Sequence, residues 1–189
     1  MTSGLLSPDE MPAVANLNCP RDLYVVCEEP VMICGMRWPH YSFDWGNLYS
    51  HGVSNVIRLN EEEYGAYDSS PIRIAYSGQL EDLIGGGLPR EPETEYEKIS
   101  AAVASSIHCI ENGEGIVVHC LGGRGRTGTV LGCLLVHLGF EPGVVVGYLD
   151  GLHKARGRSG WPESPWQAEI VAQTSRFSRP DSWGLHEKS

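Results

Sequence analysis

Hydrophobic and polar positions change period several times along the chain, and each change marks an element. Leu23–Cys27 and residues 31–35 are short apolar runs split by Glu28-Glu29-Pro30, and read as two strands. Residues 43–51 read as a short helix stopped by Gly52. Residues 53–59 form a buried strand, Glu61, Glu62 and Glu63 then lie in solvent, and 71–76 is a further strand. Residues 93–112 carry Tyr96, Ile99, Val103, Ile107 and Ile110 at helical spacing, and Asn112-Gly113 ends that helix. Gly115–His119 is an apolar run bounded by turns, the pattern of a central strand. Residues 127–138 form a helix with Val130, Leu131, Leu134, Leu135 and Leu138 on one side. Pro142 opens another helix to about Ala155, and a last one runs over 164–175. Strands alternating with helices predict an α/β fold, a central, mainly parallel sheet flanked by helices.

Length and charge narrow this picture. At 189 residues one domain is expected, with an N-terminal arm over 1–20, the domain over 21–178 and a tail over 179–189. The net charge of −10 argues against nucleic acid or an anionic membrane as partner. The longest apolar stretch, 129–140, is short of the roughly 20 residues a membrane span needs. The first residues lack the basic leader and apolar run of a secretory signal. Cys19, Cys27, Cys34, Cys109, Cys120 and Cys133 form no CxxC pair, which argues against a zinc ribbon or thioredoxin-type site. A monomer in a reducing cytoplasm is expected, with no metal and no cofactor.

Charge is unevenly spread. Residues 61–98 hold ten acids against three bases, the composition of a solvated face, whereas 119–160 hold five bases against two acids. Two of those bases, Arg124 and Arg126, sit inside the segment His119-Cys120-Leu121-Gly122-Gly123-Arg124-Gly125-Arg126-Thr127-Gly128, between a strand and a helix. Loops at the carboxyl edge of a parallel sheet bind ligands. The helix start supplies unpaired N–H groups and a positive dipole end, which suits a phosphate. Gly122, Gly123 and Gly125 let successive amides converge on one anion. The same positive field favours a thiolate at Cys120, a competent nucleophile. Arg126 can grip two phosphate oxygens at once, and Thr127 can donate its hydroxyl to the departing sulfur. Together these groups make a phosphoryl-transfer site.

This His-Cys-x5-Arg-Thr-Gly segment resembles the signature of the cysteine-dependent protein tyrosine phosphatase superfamily, and in size and element order the chain is most similar to its compact dual-specificity branch. The resemblance implies a single-domain protein tyrosine phosphatase-like fold. It implies a phosphocysteine on Cys120, phosphate binding by Arg126 and the amides of Leu121, Gly122, Gly123, Arg124 and Gly125, and breakdown of the intermediate aided by Thr127. His119 supports the thiol from below, and Gln167, near the family's late loop, helps place water. The general acid comes from an upstream loop. Asp82, just before Gly85-Gly86-Gly87, is the first candidate, ahead of Glu81 and Asp44. Protonating the leaving oxygen needs such a group, and the glycines suit a lid.

Other readings use the same residues. Gly123-x-Gly125-x-x-Gly128 also fits a dinucleotide fingerprint, with Asp150 holding a ribose if residues 144–149 form a strand. Arg124, Arg156 and Arg158 hint at a substrate with a second anionic group, and Cys34 or Cys109 can be considered as redox partners of Cys120. The expected activity is metal-independent hydrolysis of phosphotyrosine, phosphoserine or phosphothreonine in proteins. The alternatives are a phosphatase of a phosphoinositide or small phosphoester, and a phosphate-binding pseudophosphatase.

Overall fold

The computed structural model describes residues 4–12, 14, 21–60 and 67–174. Among them run β1 (Leu23–Cys27), β2 (Ile33–Met36), α1 (Trp45–Ser50), β3 (Val53–Arg58), β4 (Arg73–Ser77), α2 (Pro92–Glu111), β5 (Gly115–His119), α3 (Gly125–His137), α4 (Pro142–Ala155) and α5 (Pro165–Gln173). The strands form one mixed sheet in the order β1-β2-β5-β3-β4, with β1 antiparallel to β2 and the other neighbours parallel. The α/β architecture agrees with the sequence pattern.

Strand alternation sends side chains to two layers. Tyr24, Val26, Ile57, Ile116 and Val118 join the cluster packed by α2, α3, α4 and α5. Leu23, Val25, Cys34, Val56 and Val117 join Trp45 and Leu48 of α1 on the opposite face. β5 is buried at every residue, as a central parallel strand must be. Its last residue pairs with Met36 of β2 and with Arg58 of β3. The loops leaving β2, β3 and β5 therefore start together at one edge, where an α/β sheet places its ligands.

Several details depart from the sequence pattern. α3 is buried nearly all round, not along one side, because it runs between the sheet and α5. Gly132 permits the close approach, since a Cβ there would lie 2.7 Å from Val171. α3 also begins at Gly125, so Arg126 stands in its first turn. In α2, Tyr96 is exposed and Ile107 half-buried, while the charged Glu95 is buried. Glu95 turns inward because its carboxylate accepts the Glu81 amide at 2.7 Å. The N-terminal arm is tied down where it is described: Leu5 is buried, and the Leu6 amide donates to Val26 at 2.9 Å. Cys19, Glu61, Glu62, Glu63 and the tail over 179–189 lie outside the described residues.

Candidate active site

Cys120 follows β5 directly and is 2% exposed, at the base of a loop that ends in α3. The loop is built against the end of β2. The Trp38 amide donates to the Leu121 carbonyl at 2.8 Å. Gly123 has φ +64°, and a Cβ there would lie 2.4 Å from the Met36 carbonyl, so only glycine lets the two backbones meet. Arg126 is buried, and its guanidinium donates to Asp82 at 2.8 Å and to the Leu80 carbonyl at 3.4 Å. The first-choice carboxylate, 44 residues earlier in the chain, is thus brought to the loop's arginine. Thr127 is fully buried, and its hydroxyl has no hydrogen-bond partner among the described residues. A buried hydroxyl without a partner is costly, so this one calls for a role.

His119 lies beneath the loop. Its Nδ1–H donates to the Cys120 carbonyl at 3.4 Å, which leaves Nε2 to accept the Tyr67 hydroxyl. Burial pushes its pKa down to about 4, so the ring is neutral at ordinary pH and can hold both bonds. Trp38 and Tyr67 pack edge-on and tilted against it.

Two supports of the loop were not signalled by any motif. The Gly123 carbonyl accepts from the Tyr24 hydroxyl and from Arg156, each at 3.1 Å. A trans peptide points its carbonyl and the following N–H in opposite directions. Holding the Gly123 carbonyl from below therefore turns the Arg124 amide away from the support and toward the loop's concave side. Arg156 also donates to His153 Nδ1 and to the Arg21 carbonyl at 2.8 Å each, and lies 4.0 Å from the Tyr24 ring centroid. Arg156, which the sequence suggested for a second anionic group of the substrate, is a buried brace held from several sides. The sole sequence trace of this role is a cation closing a largely apolar helix. Tyr24 leaves no trace at all. Arg158 is exposed.

The late loop closes the other side. Trp161 Nε1–H donates to the Gly125 carbonyl at 3.3 Å, and Ser164 donates to the Gly87 carbonyl at 2.6 Å. Gln167 is buried as the third residue of the α5 capping box. Its Oε1 accepts the Glu163 and Ser164 amides, and its Nε2 faces Gly125. The Arg124 side chain faces the late loop, where it pairs with Glu163 at 2.6 Å and donates to Ser159. Leu121 is half-buried and Gly122 exposed.

The remaining candidates are placed elsewhere. Asp44 caps α1, accepting the Asn47 amide at 2.8 Å, and Glu81 accepts the Arg90 amide at 2.9 Å. Residues 144–149 lie in α4, not in a strand, so the dinucleotide reading fails. Asp150 instead pairs with Lys154 at 2.6 Å and accepts the Trp161 amide. Cys34 points into the α1-side layer, away from the cluster that holds Cys120. Cys109 interacts with Glu114 and Arg73, at the end of β5 opposite Cys120. Neither is arranged as a redox partner. Among the described residues, no helix is long and apolar enough to cross a membrane.

Comparison with known proteins agrees with this fold. The family model described as Swiss Army Knife protein, DSP-PTPase phosphatase domain, matches residues 25–187. P. aeruginosa TpbA, solved in complex with pTyr, superposes with a TM-score of 0.57 at 15% identity, over 89% of this chain and 91% of that one. PTPMT1 in complex with PI(5)P gives 0.55 at 16%, over 75% and 88%. The catalytic domain of the S. cerevisiae PP-IP phosphatase SIW14, in complex with citrate, gives 0.53 at 14%, over 76% and 80%. At such identities the likeness is one of fold.

Proposed function

Since the chain belongs to the DSP-PTPase phosphatase domain family of Swiss Army Knife proteins and is a cysteine-based phosphatase, we propose that it hydrolyses phosphomonoesters through a phosphocysteine on Cys120. The observation that carries this reading is the meeting of Arg126 with Asp82, at 2.8 Å, in the loop that Cys120 opens. It supports a reading in which Arg126 binds phosphate and Asp82 carries a proton for the nucleophile Cys120.

In this mechanism the phosphate dianion takes over Arg126 and the amides of residues 121–125. The Cys120 thiolate attacks phosphorus, a sulfur–phosphorus bond forms and the bond to the leaving oxygen breaks. Asp82, in its protonated form, gives its proton to that oxygen. Water then attacks phosphorus, Asp82 takes the water's proton, and the thiolate departs with a hydrogen bond from Thr127. His119 holds the Cys120 backbone throughout. Gln167 Nε2, on the Gly125 side, is left to orient the water, because Oε1 is engaged in the helix cap.

Phosphotyrosine, phosphoserine and phosphothreonine of proteins are the proposed substrates, without metal or cofactor, and the TpbA complex with pTyr supports this choice. The PTPMT1 complex with PI(5)P and the PP-IP phosphatase SIW14 favour a second reading, a phosphoinositide or small phosphoester. The test is hydrolysis of an aryl phosphate by the wild-type chain and by Cys120→Ser, in EDTA with fresh thiol reductant. Activity is expected to survive EDTA and to fall by roughly three to four orders of magnitude in the variant. Phosphopeptide and PI(5)P then separate the two substrate classes. A wild-type chain that binds phosphate without turnover would make it a binding module.

A further inference from the structure

Arg124 is the loop residue whose side chain the catalytic steps leave unused, and its surroundings are unusually complete. Its Nε and Nη2 both donate to Glu163 Oε1, at 2.7 and 2.6 Å, and its Nη1 donates to the Ser159 hydroxyl. The two side chains of the pair are only 16% and 10% exposed, so water screens the pair far less than it screens a surface salt bridge. Glu163 lies flat on the loop: a Cβ at Gly125 would come 1.6 Å from its Oε2, an approach that glycine alone permits. The backbone of Glu163 is fixed as well, since its amide donates to Gln167 Oε1 at 2.8 Å just before the α5 cap. The carboxylate is therefore built into the rim of the phosphate loop.

We propose that Glu163 is a specificity-determining residue: by pairing with Arg124 it keeps that cation from a second anionic group, and so confines the enzyme to substrates carrying a single phosphate near the scissile bond. The proposal rests on the phosphatase reading above and sharpens its substrate class. A free guanidinium at position 124 would attract a neighbouring phosphate. With Glu163 in place, that phosphate meets a neutral pair, and reaching Arg124 requires displacing a carboxylate fixed by the late loop. One carboxylate, Asp82, already has to yield Arg126 to the scissile phosphate. A second displacement, of a carboxylate whose backbone is tied to Gln167, disfavours polyphosphorylated ligands. The bland role for the pair, cementing two loops together, predicts no discrimination between ligands.

The test uses the full chain carrying Cys120→Ser, so that ligands are held without turnover. Calorimetry gives the Kd for inorganic phosphate and for tripolyphosphate, with Glu163 intact and with Glu163→Gln. Glutamine keeps the shape and can still accept from Arg124, but leaves its charge uncompensated. Tripolyphosphate is expected to gain about tenfold over phosphate in the variant, the scale of one uncovered charge near a ligand at a partly screened site. Glu163→Ala, which removes the acceptor altogether, must move the ratio in the same direction. Adding Arg124→Leu to Glu163→Gln must return it to the starting value. If phosphate binds and the ratio stays within twofold, or both ligands weaken in parallel, Glu163 is a structural tie and the proposal is overturned. If phosphate binds to none of the chains, the phosphatase reading itself fails and takes this proposal with it.

Discussion

The loop over 120–126 and the loop over 79–91 meet at the Arg126–Asp82 pair but are built on opposite plans. The first is braced from below by Tyr24 and Arg156, from the β2 side by Trp38, and from the late loop by Trp161 and Glu163. The second is tied at its ends, where Leu80 donates to Leu59 and Glu81 links the Glu95 carboxylate to the Arg90 amide. Between those ends it exposes Ile84, Gly85, Gly86, Gly87 and Leu88, with Ser164 holding the Gly87 carbonyl. Such a division suits a site in which one loop must present amides at fixed positions while the other must open and close. Local stability follows burial and bracing, so the two loops are expected to respond very differently to the same change.

Alanine at Gly123 and at Gly86 tests that difference most severely. Both glycines have positive φ, +64° and +80°. At Gly123 the new Cβ meets β2 backbone at 2.4 Å, whereas at Gly86 its nearest neighbour is 3.8 Å away. Gly123→Ala is expected to cut kcat/KM by roughly a thousandfold or to cost more than about 3 kcal/mol in denaturant unfolding. Gly86→Ala carries only the backbone strain, about 1–2 kcal/mol, with less than about a tenfold loss of activity. Equal effects at the two positions would dissolve the distinction between the loops. Next in size is Asp82→Asn. It is expected to lower turnover of alkyl phosphates by about a hundredfold and to flatten the basic limb of the pH–rate profile, while sparing aryl phosphates with good leaving groups. An unchanged profile would remove Asp82 from the acid role and leave its pair with Arg126 a resting contact.

The same contrast explains which residues are legible in the sequence. Cys120, Arg126 and Thr127 stand out in the sequence because the proposed phosphate-binding turn needs particular residue types at fixed spacing. The strand before it and the helix after it were legible because their apolar periods are unbroken. The braces were not legible, since Tyr24 on β1 and Arg156 after α4 reach Gly123 only through the topology. Tyr96 shares the helical spacing of Ile99 and Val103, but a hydrogen bond from the Glu81 amide draws Glu95 inward instead. The pairing of Arg124 is invisible in the sequence because its partner, Glu163, lies 39 positions away in the chain. Asp82 stood out against a loose loop whose spacing carries little information, and its pairing with Arg126 is a tertiary fact.

Acid should expose the difference a second way. Beneath the braced loop, burial holds the pKa of His119 at about 4 and that of His153 at about 3, against 6.5 for the free side chain. Each folded value is depressed, so the unfolded chain binds more protons and stability falls as pH drops below 6.5, until the folded values are reached. The slope approaches about 1.4 kcal/mol per pH unit for each histidine, so unfolding at pH 5.5 is expected to cost about 2 kcal/mol less than at pH 7. Glu95, which steadies the acid loop, has its pKa raised by burial, so it works with the opposite sign above 4.5. Measured with phosphate absent, a flat profile across pH 7 to 5.5 would mean that the histidines are hydrated and the brace is loose.

The smallest effect is the most direct probe of the acid loop. Gly85 has no positive φ and nothing within 4 Å of a new Cβ, so alanine fits the folded state without strain. Replacing glycine there narrows the unfolded ensemble, and stability should rise by about 0.4–1 kcal/mol. The same narrowing acts on the open conformations of a lid. If the loop over 79–91 closes on each turnover, Gly85→Ala should lower kcat by about two- to threefold while the chain becomes more stable, with KM following less than kcat. Gly122, in the braced loop, also has open space around it and no positive φ, and so makes the control. Alanine there changes no lid motion, so any loss must come from contact with the bound phosphate and appear in KM. Stability gained at Gly85 with kcat unchanged would mean that Asp82 reaches the substrate without loop closure, and that the exposed glycines serve only to turn the chain.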